Sequence, residues 1–265
     1  MSDHRLAIQD LTVSYNRVPA LHHIDLELCC GRRVGLLGPN GAGKTTFLKA
    51  LAGLVPFETG RVVFGGHSHD GHSQSLDHGI AYLPQRSVVD WDFPLTVRGL
   101  VELGRYPALG PWRKFSKRDA EIVNEALSAT HLADLADRQI NALSGGQQQR
   151  AFLARSWAQQ AHIYLLDEPF NGLDRNAQAH LSALLRQLAA DGRLVIVSHH
   201  DLKTVPELFD EVILLNGELV AFGPVADVFT PERIAETFST AVFTGKSESQ
   251  NPKSESIGAK SEIRT

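Results

Sequence analysis

The sequence predicts an α/β fold built around a mixed, largely parallel sheet. Short apolar runs of strand length, at 33–37, 163–166 and 194–197, are separated by segments in which apolar residues recur at helical spacing. A glycine-rich loop follows the first of these runs and precedes a helical pattern. Strands that alternate with helices are joined by crossover connections, and such connections favour parallel pairing.

The predicted elements have the following order. Strands are expected at 24–28, where apolar and acidic residues alternate, and then at 33–37, 163–166 and 194–197; helices are expected around 47–55, 116–127, 146–160 and 181–188. Ser116 and Asp119 resemble a capping pair for the second helix, and Gly192 closes the last one. Residues 212–222 are expected to form a hairpin with a type I′ turn at Asn216 and Gly217.

Two segments depart from this alternation. Residues from about 90 to 140 read as all-helical and are expected to be inserted into the α/β core. The folded unit is expected over 1–243, and 244–265 is expected to be a disordered tail. That tail contains five serines, mixed Lys and Glu and no aromatic residue, so it has too little apolar surface to bury.

Composition excludes several classes of protein. The 265 residues are 43% hydrophobic and 21% charged, which is ordinary for a globular protein. No apolar run approaches the roughly 18 residues of a membrane-spanning helix, and the start of the chain does not resemble a signal segment, so a cytoplasmic location is expected. The two cysteines are adjacent and give no disulfide framework. A net charge of −4 argues against a broad nucleic-acid surface.

Residues 38–45 fit the phosphate-loop pattern G-x-x-x-x-G-K-[ST], between a strand and a helix. Glycines let backbone N–H groups curl around phosphate oxygens, and the helix N-terminus adds partial positive charge. Lys44 is expected to reach the β- and γ-phosphates, and Thr45 to offer its hydroxyl to Mg²⁺. The nucleotide-binding residues predicted here are Gly38, Pro39, Asn40, Gly41, Ala42, Gly43, Lys44, Thr45 and Thr46. A ligand-free glycine-rich turn is the alternative, and the complete motif disfavours it.

Two carboxylates follow the apolar strand 163–166. Ligands of parallel sheets sit at such strand ends. Asp167 is expected to hold Mg²⁺, directly or through water, and Glu168 to polarise the attacking water. Alone, this pattern is also typical of a strand that meets solvent, but the phosphate loop upstream makes it the expected partner.

The segment 143–147 reads Leu-Ser-Gly-Gly-Gln. Physically it is a helix start, because Ser144 and Gln147 can form a capping box. Together with the two preceding motifs it resembles the signature of the ATP-binding-cassette family, and the resemblance covers about residues 5–225. It implies a P-loop NTPase core with a mixed, largely parallel sheet, an antiparallel β-subdomain and an inserted α-helical subdomain.

The resemblance also implies roles for further residues. Tyr15 matches the aromatic that stacks on adenine, although an exposed strand-end tyrosine is the alternative. Gln85 matches the glutamine that touches Mg²⁺ and the attacking water. Asp174 matches the loop that crosses a dimer interface, and it would also serve as a helix N-cap. His200, which directly precedes Asp201, is favoured over His199 as the histidine that orients the γ-phosphate.

In this family the signature of one subunit covers the nucleotide held by the other. The residues that would serve the partner's ATP are Ser144, Gly145, Gly146 and Gln147. The chain carries one of each motif, so we expect a homodimer that binds ATP and Mg²⁺.

The spacing of the motifs favours transport. Gly43 and Ser144 are 101 positions apart (144 − 43), with no sustained heptads, unlike the long coiled coil of DNA-repair relatives. In transporters the helical insert docks on a membrane permease. Val88, Val89, Trp91, Phe93 and Leu95 form an apolar cluster there. It is either subdomain core or the docking socket, and the flanking Asp and Pro residues favour the socket for Trp91 and Phe93.

Segments 84–94, 167–172, 199–202, 214–216 and 223–230 resemble the importers of manganese, zinc or iron, with manganese expected first. The resemblance implies a peripheral protein on the cytoplasmic face of the membrane, indirect dependence on an extracytoplasmic metal-binding protein, and no nucleic-acid partner. An importer of iron chelates or cobalamin is an alternative, and so is a non-transport cassette that acts on nucleic acid or ribosomes.

A histidine-rich loop lies outside these motifs. It contains His67, His69, His72 and His78, with Asp70 and Asp77. Histidines at this spacing can bind zinc or nickel, which would give a regulatory metal site. A solvated, variable loop is the favoured interpretation.

Overall fold

A computed structural model describes residues 5–65, 67–70, 79–85, 93–110 and 113–239. The strands are β1 (Arg5–Tyr15), β2 (Val18–Cys29), β3 (Arg33–Leu37), β4 (Thr59–Phe64), β5 (His67–His69), β6 (Ile80–Leu83), β7 (Ile163–Leu166), β8 (Leu194–Ser198), β9 (Glu211–Asn216) and β10 (Glu218–Pro224). The α-helices are α1 (Lys44–Leu51), α2 (Val97–Glu102), α3 (Tyr106–Leu109), α4 (Lys117–Ala129), α5 (Gly145–Ala158), α6 (Arg175–Ala190), α7 (Val205–Leu208), α8 (Val225–Val228) and α9 (Pro231–Phe238). Short 3₁₀ turns cover Leu103–Arg105, Ala133–Leu135 and Ile140–Ala142.

The first sheet is antiparallel, with strand order β2-β1-β4-β5. The turn between β1 and β2 has positive φ at both central residues, 51° at Asn16 and 67° at Arg17. This is the backbone of a type I′ turn, whose twist matches that of the strands it joins. The expected antiparallel β-subdomain is therefore confirmed.

The second sheet has the order β10-β9-β3-β8-β7-β6. Five of its strands are parallel and only β10 runs against its neighbour. Leu36 pairs with Ser198, and Leu83 pairs with Leu166. This register brings the carboxyl ends of β3, β6, β7 and β8 to one edge of the sheet, where the loops that follow them meet. The predicted mixed, largely parallel sheet is confirmed.

The hydrophobic core lies on both faces of the second sheet. Ile163 and Leu165 of β7 point toward the first sheet and α1, whereas Tyr164 and Leu166 point toward the helices. All four are buried, so β7 reads as a continuous apolar run rather than an alternating one.

The helical part of the chain joins the core through α5. α2 and α4 pack against α5, and α4 begins with a capping box between Ser116 and Asp119, as the sequence predicts. The inserted helical subdomain is confirmed. Within the described part of the chain, no helix combines the length and apolarity that crossing a membrane requires.

Two local predictions are wrong. The helix expected to reach residue 55 ends at Leu51. The β9–β10 hairpin forms, but not through a type I′ turn, because only Gly217 has positive φ (73°) and Asn216 pairs with Glu218. Gly217 instead donates its N–H to the carbonyl of Ala42 at 3.0 Å and accepts from the N–H of His22 at 2.8 Å. These tertiary hydrogen bonds hold the tip of the hairpin against the phosphate loop.

Candidate nucleotide-binding and hydrolysis site

Where the phosphate loop leaves β3, its backbone lies very close to the backbone of β9. A Cβ at Gly38 would lie 2.0 Å from the carbonyl oxygen of Leu215 in β9, so only glycine fits. At the other end Gly43 has φ of 89° and precedes the first turn of α1. The loop is thus fixed between the sheet and the helix N-terminus, with the N-terminal N–H groups of α1 available to an anion.

Lys44 is buried, and its Nζ donates to the carbonyls of Gly38 at 2.7 Å and Pro39 at 2.9 Å. Burial lowers the pKa of Lys44, while the negative charges of Glu168 and Asp167 act in the opposite direction. The ammonium is therefore held within its own loop, close to two carboxylates.

Asp167 sits directly after β7 with only 2% of its surface exposed. Its Oδ1 accepts a hydrogen bond of 2.6 Å from the Ser198 hydroxyl, while its buried Oδ2 has no hydrogen-bond partner. A buried carboxylate oxygen without a partner is costly unless a cation satisfies it. The arrangement fits a hard divalent cation, which prefers oxygen ligands.

Glu168 adopts φ of 48°, a left-handed conformation that costs a non-glycine residue about 1–3 kcal/mol. Its backbone N–H donates to the Ser198 Oγ at 2.8 Å. Its side-chain Oε2 accepts from the Gln85 amide at 3.1 Å and from the Asn171 amide at 3.4 Å. The strained backbone and the two amides together orient this carboxylate, and Gln85 keeps its own amide oxygen as an acceptor.

The structure brings several of the predicted residues to one cleft of about 290 Å³. Its lining consists of Tyr15, Ala20, Asn40, Gly41, Ala42, Gly43, Lys44, Thr45, Thr46 and Glu168. Tyr15 is 47% exposed at the rim, where a planar ring is free to stack.

The signature segment lies elsewhere and does not line this cleft. Ser144 caps α5: its Oγ accepts from the Gln147 N–H at 3.4 Å, and Gln147 Oε1 accepts from the Ser144 N–H at 2.9 Å. The capping box is therefore present. Asp174 caps α6 by accepting from the Ala177 N–H at 2.8 Å, which was one of its two expected roles.

The two histidines after β8 have different environments. His199 is buried between Phe170 and Phe209, and its Nε2 lies 2.8 Å from the Thr204 hydroxyl. Burial lowers the pKa of His199 to about 4, with the charge of His200 adding to the effect. His200 is exposed and lines a groove of about 600 Å³ with Asn171 and Arg175. His199 is a core residue, whereas the ring of His200 is accessible.

Sequence reasoning missed Ser198 and Tyr82. Ser198 joins the carboxylate of Asp167 to the backbone of Glu168; it is the only polar residue of its apolar strand, and that was the available signal. The pKa of Tyr82, on the adjacent strand β6, is raised by its burial, by the negative charge of Asp167 and by the approach of its hydroxyl to that carboxylate, so its phenol stays protonated.

Some predicted residues lie outside the described part of the chain. They are Val88, Val89, Trp91, His72, His78, Asp77 and the tail 244–265. Of the remaining loop histidines, His67 is exposed, whereas His69 is buried against Phe57. The described residues hold no group of three His, Cys, Asp or Glu side chains arranged for a metal ion, so the metal-loop hypothesis gains no support there.

The fold and the cleft define a P-loop nucleotide-binding ATPase, with a phosphate loop and an acidic pair at one edge of a parallel sheet. The sequence model of the ABC transporter family matches residues 21–171, and the chain belongs to that family. It is an ATP-binding subunit with the ATPase activity of that family.

Similar proteins cover nearly the whole chain. The manganese transport system ATP-binding protein MntB of Halalkalibacterium halodurans is 42% identical over 91% of this chain and 95% of its own length. MntB of Bacillus subtilis is 42% identical over 87% of this chain and 91% of its own. The zinc transport system ATP-binding protein TroB of Treponema pallidum is 42% identical over 87% of this chain and 85% of its own.

Among solved structures, a nucleotide-free ATP-binding cassette from an ABC transporter superimposes with a TM-score of 0.74. It shares 22% identity and covers 88% of this chain and 94% of its own. The ADP conformation of the cassette MJ1267 gives 0.73 at 20% identity, over 88% of this chain and 97% of its own. At this level of identity the likeness establishes the fold.

Proposed function

We propose that this chain is the ATPase subunit of an importer for divalent metal ions, with manganese as the favoured cargo. The observation that supports manganese as the cargo is the 42% identity to manganese transport ATP-binding proteins over about nine-tenths of the chain. Zinc is the second candidate, because a zinc transport ATP-binding protein is equally similar.

Within this proposal ATP lies in the cleft lined by the phosphate loop, with its adenine on Tyr15. Lys44 and the N-terminal N–H groups of α1 bind the phosphates. The Thr45 hydroxyl, the Gln85 amide oxygen and the Asp167 carboxylate would hold Mg²⁺, which neutralises phosphate charge when bound. The unpartnered Oδ2 of Asp167 supports this assignment.

Glu168 polarises the water that attacks the γ-phosphate. A positioned general base contributes about 10²–10⁴-fold to a rate. Gln85 and Asn171 hold its carboxylate in place. His200, whose ring is exposed beside Asn171, orients the γ-phosphate in the closed state, and buried His199 takes no part.

The active form is a homodimer in this proposal. Ser144, Gly145, Gly146 and Gln147 bind the partner's nucleotide, and Asp174 lies at the interface. The position of the capped start of α5, outside the lining of its own cleft, is consistent with a role toward a second copy.

The helical segment docks on the permease. Large apolar side chains are exposed there at Phe93, Leu103, Tyr106 and Phe115. Exposed large apolar side chains in this segment are candidates for contact with a partner protein. In this proposal the protein is peripheral at the cytoplasmic face of the membrane. An extracytoplasmic protein delivers the metal to the permease, and nucleic acid is not a partner.

Measurements of metal uptake test whether manganese is the cargo. Cells that lack this subunit should lose uptake of labelled Mn²⁺ while uptake of Fe²⁺ stays normal. The wild-type chain should restore uptake, and Lys44→Ala, which loses phosphate binding, should not. If Mn²⁺ uptake stayed normal in the deletion strain, manganese would be the wrong cargo, and a selective loss of Zn²⁺ uptake would identify zinc.

A further inference from the structure

The 3₁₀ turn 103–105 and the first residue of α3 alternate sharply in exposure. Leu103 is 39% exposed and Tyr106 is 60% exposed, whereas Gly104 and Arg105 between them are buried. We call this pair, Leu103 and Tyr106, the exposed patch. Gly104 and Arg105 lie between these two residues in the sequence and are both buried.

Arg105 joins three elements. Its Nε donates to Asp119 Oδ1 at 3.0 Å, and its Nη1 donates to the carbonyl of Ala158 at 2.6 Å. The side chains of Arg105 and Asp119 are only 9% and 8% exposed. Asp119 also accepts from the backbone N–H of Ser116 at 2.9 Å as part of the cap of α4. One guanidinium therefore ties the exposed patch to the start of α4 and the end of α5.

Gly104 brings the same turn into backbone contact with α5. A Cβ at Gly104 would lie 2.2 Å from the carbonyl oxygen of Arg155. The backbone of the turn therefore packs directly on the last turn of α5 at this point.

The other end of α5 is the signature segment. The helix has 14 residues, and at 1.5 Å per residue it spans about 21 Å as a single rigid element. We infer that Arg105 is a positioning residue that couples the exposed patch at Leu103 and Tyr106 to the signature helix, and so transmits contact with a permease to the ATPase site. This inference rests on the proposed function.

The ion pair between Arg105 and Asp119 is better suited to couple the turn to α5 than to stabilise the fold alone. Apolar side chains pack in several arrangements, whereas a buried ion pair with fixed hydrogen bonds is satisfied in few. Breaking it leaves Asp119 buried without its cation. A charged link of this kind therefore selects one orientation of the turn relative to α5.

The test uses the full chain assembled with its permease in proteoliposomes. Arg105→Ala should lower the stimulation of ATPase activity by the permease about tenfold, within the range typical of coupling between sites. The affinity for ATP should be unchanged, because Lys44 at the start of α1 and Asp167 directly after β7 lie outside the helical segment. Arg105→Lys, which keeps the charge, should retain part of the stimulation.

Arg118→Ala is the matched control. Arg118 lies on α4 and pairs with Glu121 at 3.1 Å, but its side chain is 65% exposed, so stimulation should be unchanged. Gly104→Ala serves as a second, independent probe: it keeps the ion-pairing groups, adds the clashing Cβ, and should also reduce stimulation.

Normal stimulation in Arg105→Ala would overturn the inference. So would loss of ATP binding and helical content together in both variants, which would make the contact merely structural. Failure of the cargo proposal looks different. A wild-type complex that is stimulated by its permease but moves no Mn²⁺ would overturn manganese import, and reduced stimulation in Arg105→Ala would still support the role of Arg105.

Discussion

At the scale of single residues, Ser198 is a central contact of the proposed hydrolytic site. Its hydroxyl donates to the Asp167 carboxylate and accepts from the backbone N–H of Glu168, so one oxygen contacts both acidic residues. The phosphate loop and the acidic pair could be predicted from the sequence because each is a contiguous motif. Ser198 could not, because its partners are about 30 positions away and only the parallel register of β7 and β8 brings them together.

Ser198→Ala should leave buried polar groups of Asp167 and Glu168 unsatisfied, at a cost of about 1–3 kcal/mol in unfolding free energy. The ATPase rate should fall about tenfold, because Glu168 loses a positioning contact. Denaturant unfolding and steady-state ATPase assays measure both. Ser156→Ala is the control, since that hydroxyl bonds only within α5, to the Phe152 carbonyl. A normal ATPase rate in Ser198→Ala would refute the positioning role.

His199 makes stability depend on pH. Its pKa falls from 6.5 to about 4 on folding, because of burial, so the unfolded chain binds more protons between these values. Stability should therefore decrease as pH falls from 6.5 to 4, by about 3 kcal/mol at most. His199→Gln, which can still bond Thr204, should flatten this slope. Urea unfolding at several pH values measures it, and an unchanged slope in the variant would contradict the assignment.

At the scale of elements, the sequence predicted strands and helices better than turns. β7 and β8 are apolar runs that stay buried on both faces, so their composition alone identifies them. The Asn-Gly pair predicts a type I′ turn at Gly217, but hydrogen bonds to Ala42 and His22 determine the backbone there. The span of α1 was overestimated, because the apolar spacing continues to Val55 after the helix ends.

The close packing of the phosphate loop on the hairpin gives an element-scale prediction. Gly38→Ala should push the loop away from Leu215 and weaken ATP binding about tenfold or more, since only 2.0 Å is available to the new Cβ. Gly79→Ala is the control, because its Cβ would lie 3.8 Å from Phe64, an ordinary contact. Calorimetric titration with ATP compares the two. Equal affinity in both variants would show that the loop has more room than the structure indicates.

At the scale of the whole molecule, the two sheets and the helical segment contribute different parts of the proposed site. The second sheet presents the phosphate loop, Gln85, Asp167 and Glu168 at one edge, and the first sheet contributes Tyr15 to the same cleft. The signature begins α5, and the far end of that helix accepts a hydrogen bond from Arg105. The family signature in the sequence predicts this arrangement of two sheets and a helical segment. The role of Arg105 is not predictable from the sequence, because it follows only from the contacts of its side chain.

The measurement that tests the account most directly is the behaviour of Glu168→Gln with Mg·ATP. ATP affinity should be retained, because the phosphate loop is intact, while turnover should fall about 10²–10⁴-fold. The variant should accumulate as an ATP-bound dimer, detectable by light scattering, whereas Glu125→Gln on the exposed face of α4 should behave as wild type. Turnover at the normal rate, with no dimer formed, would contradict both the role of Glu168 and the proposed binding of each nucleotide by two subunits.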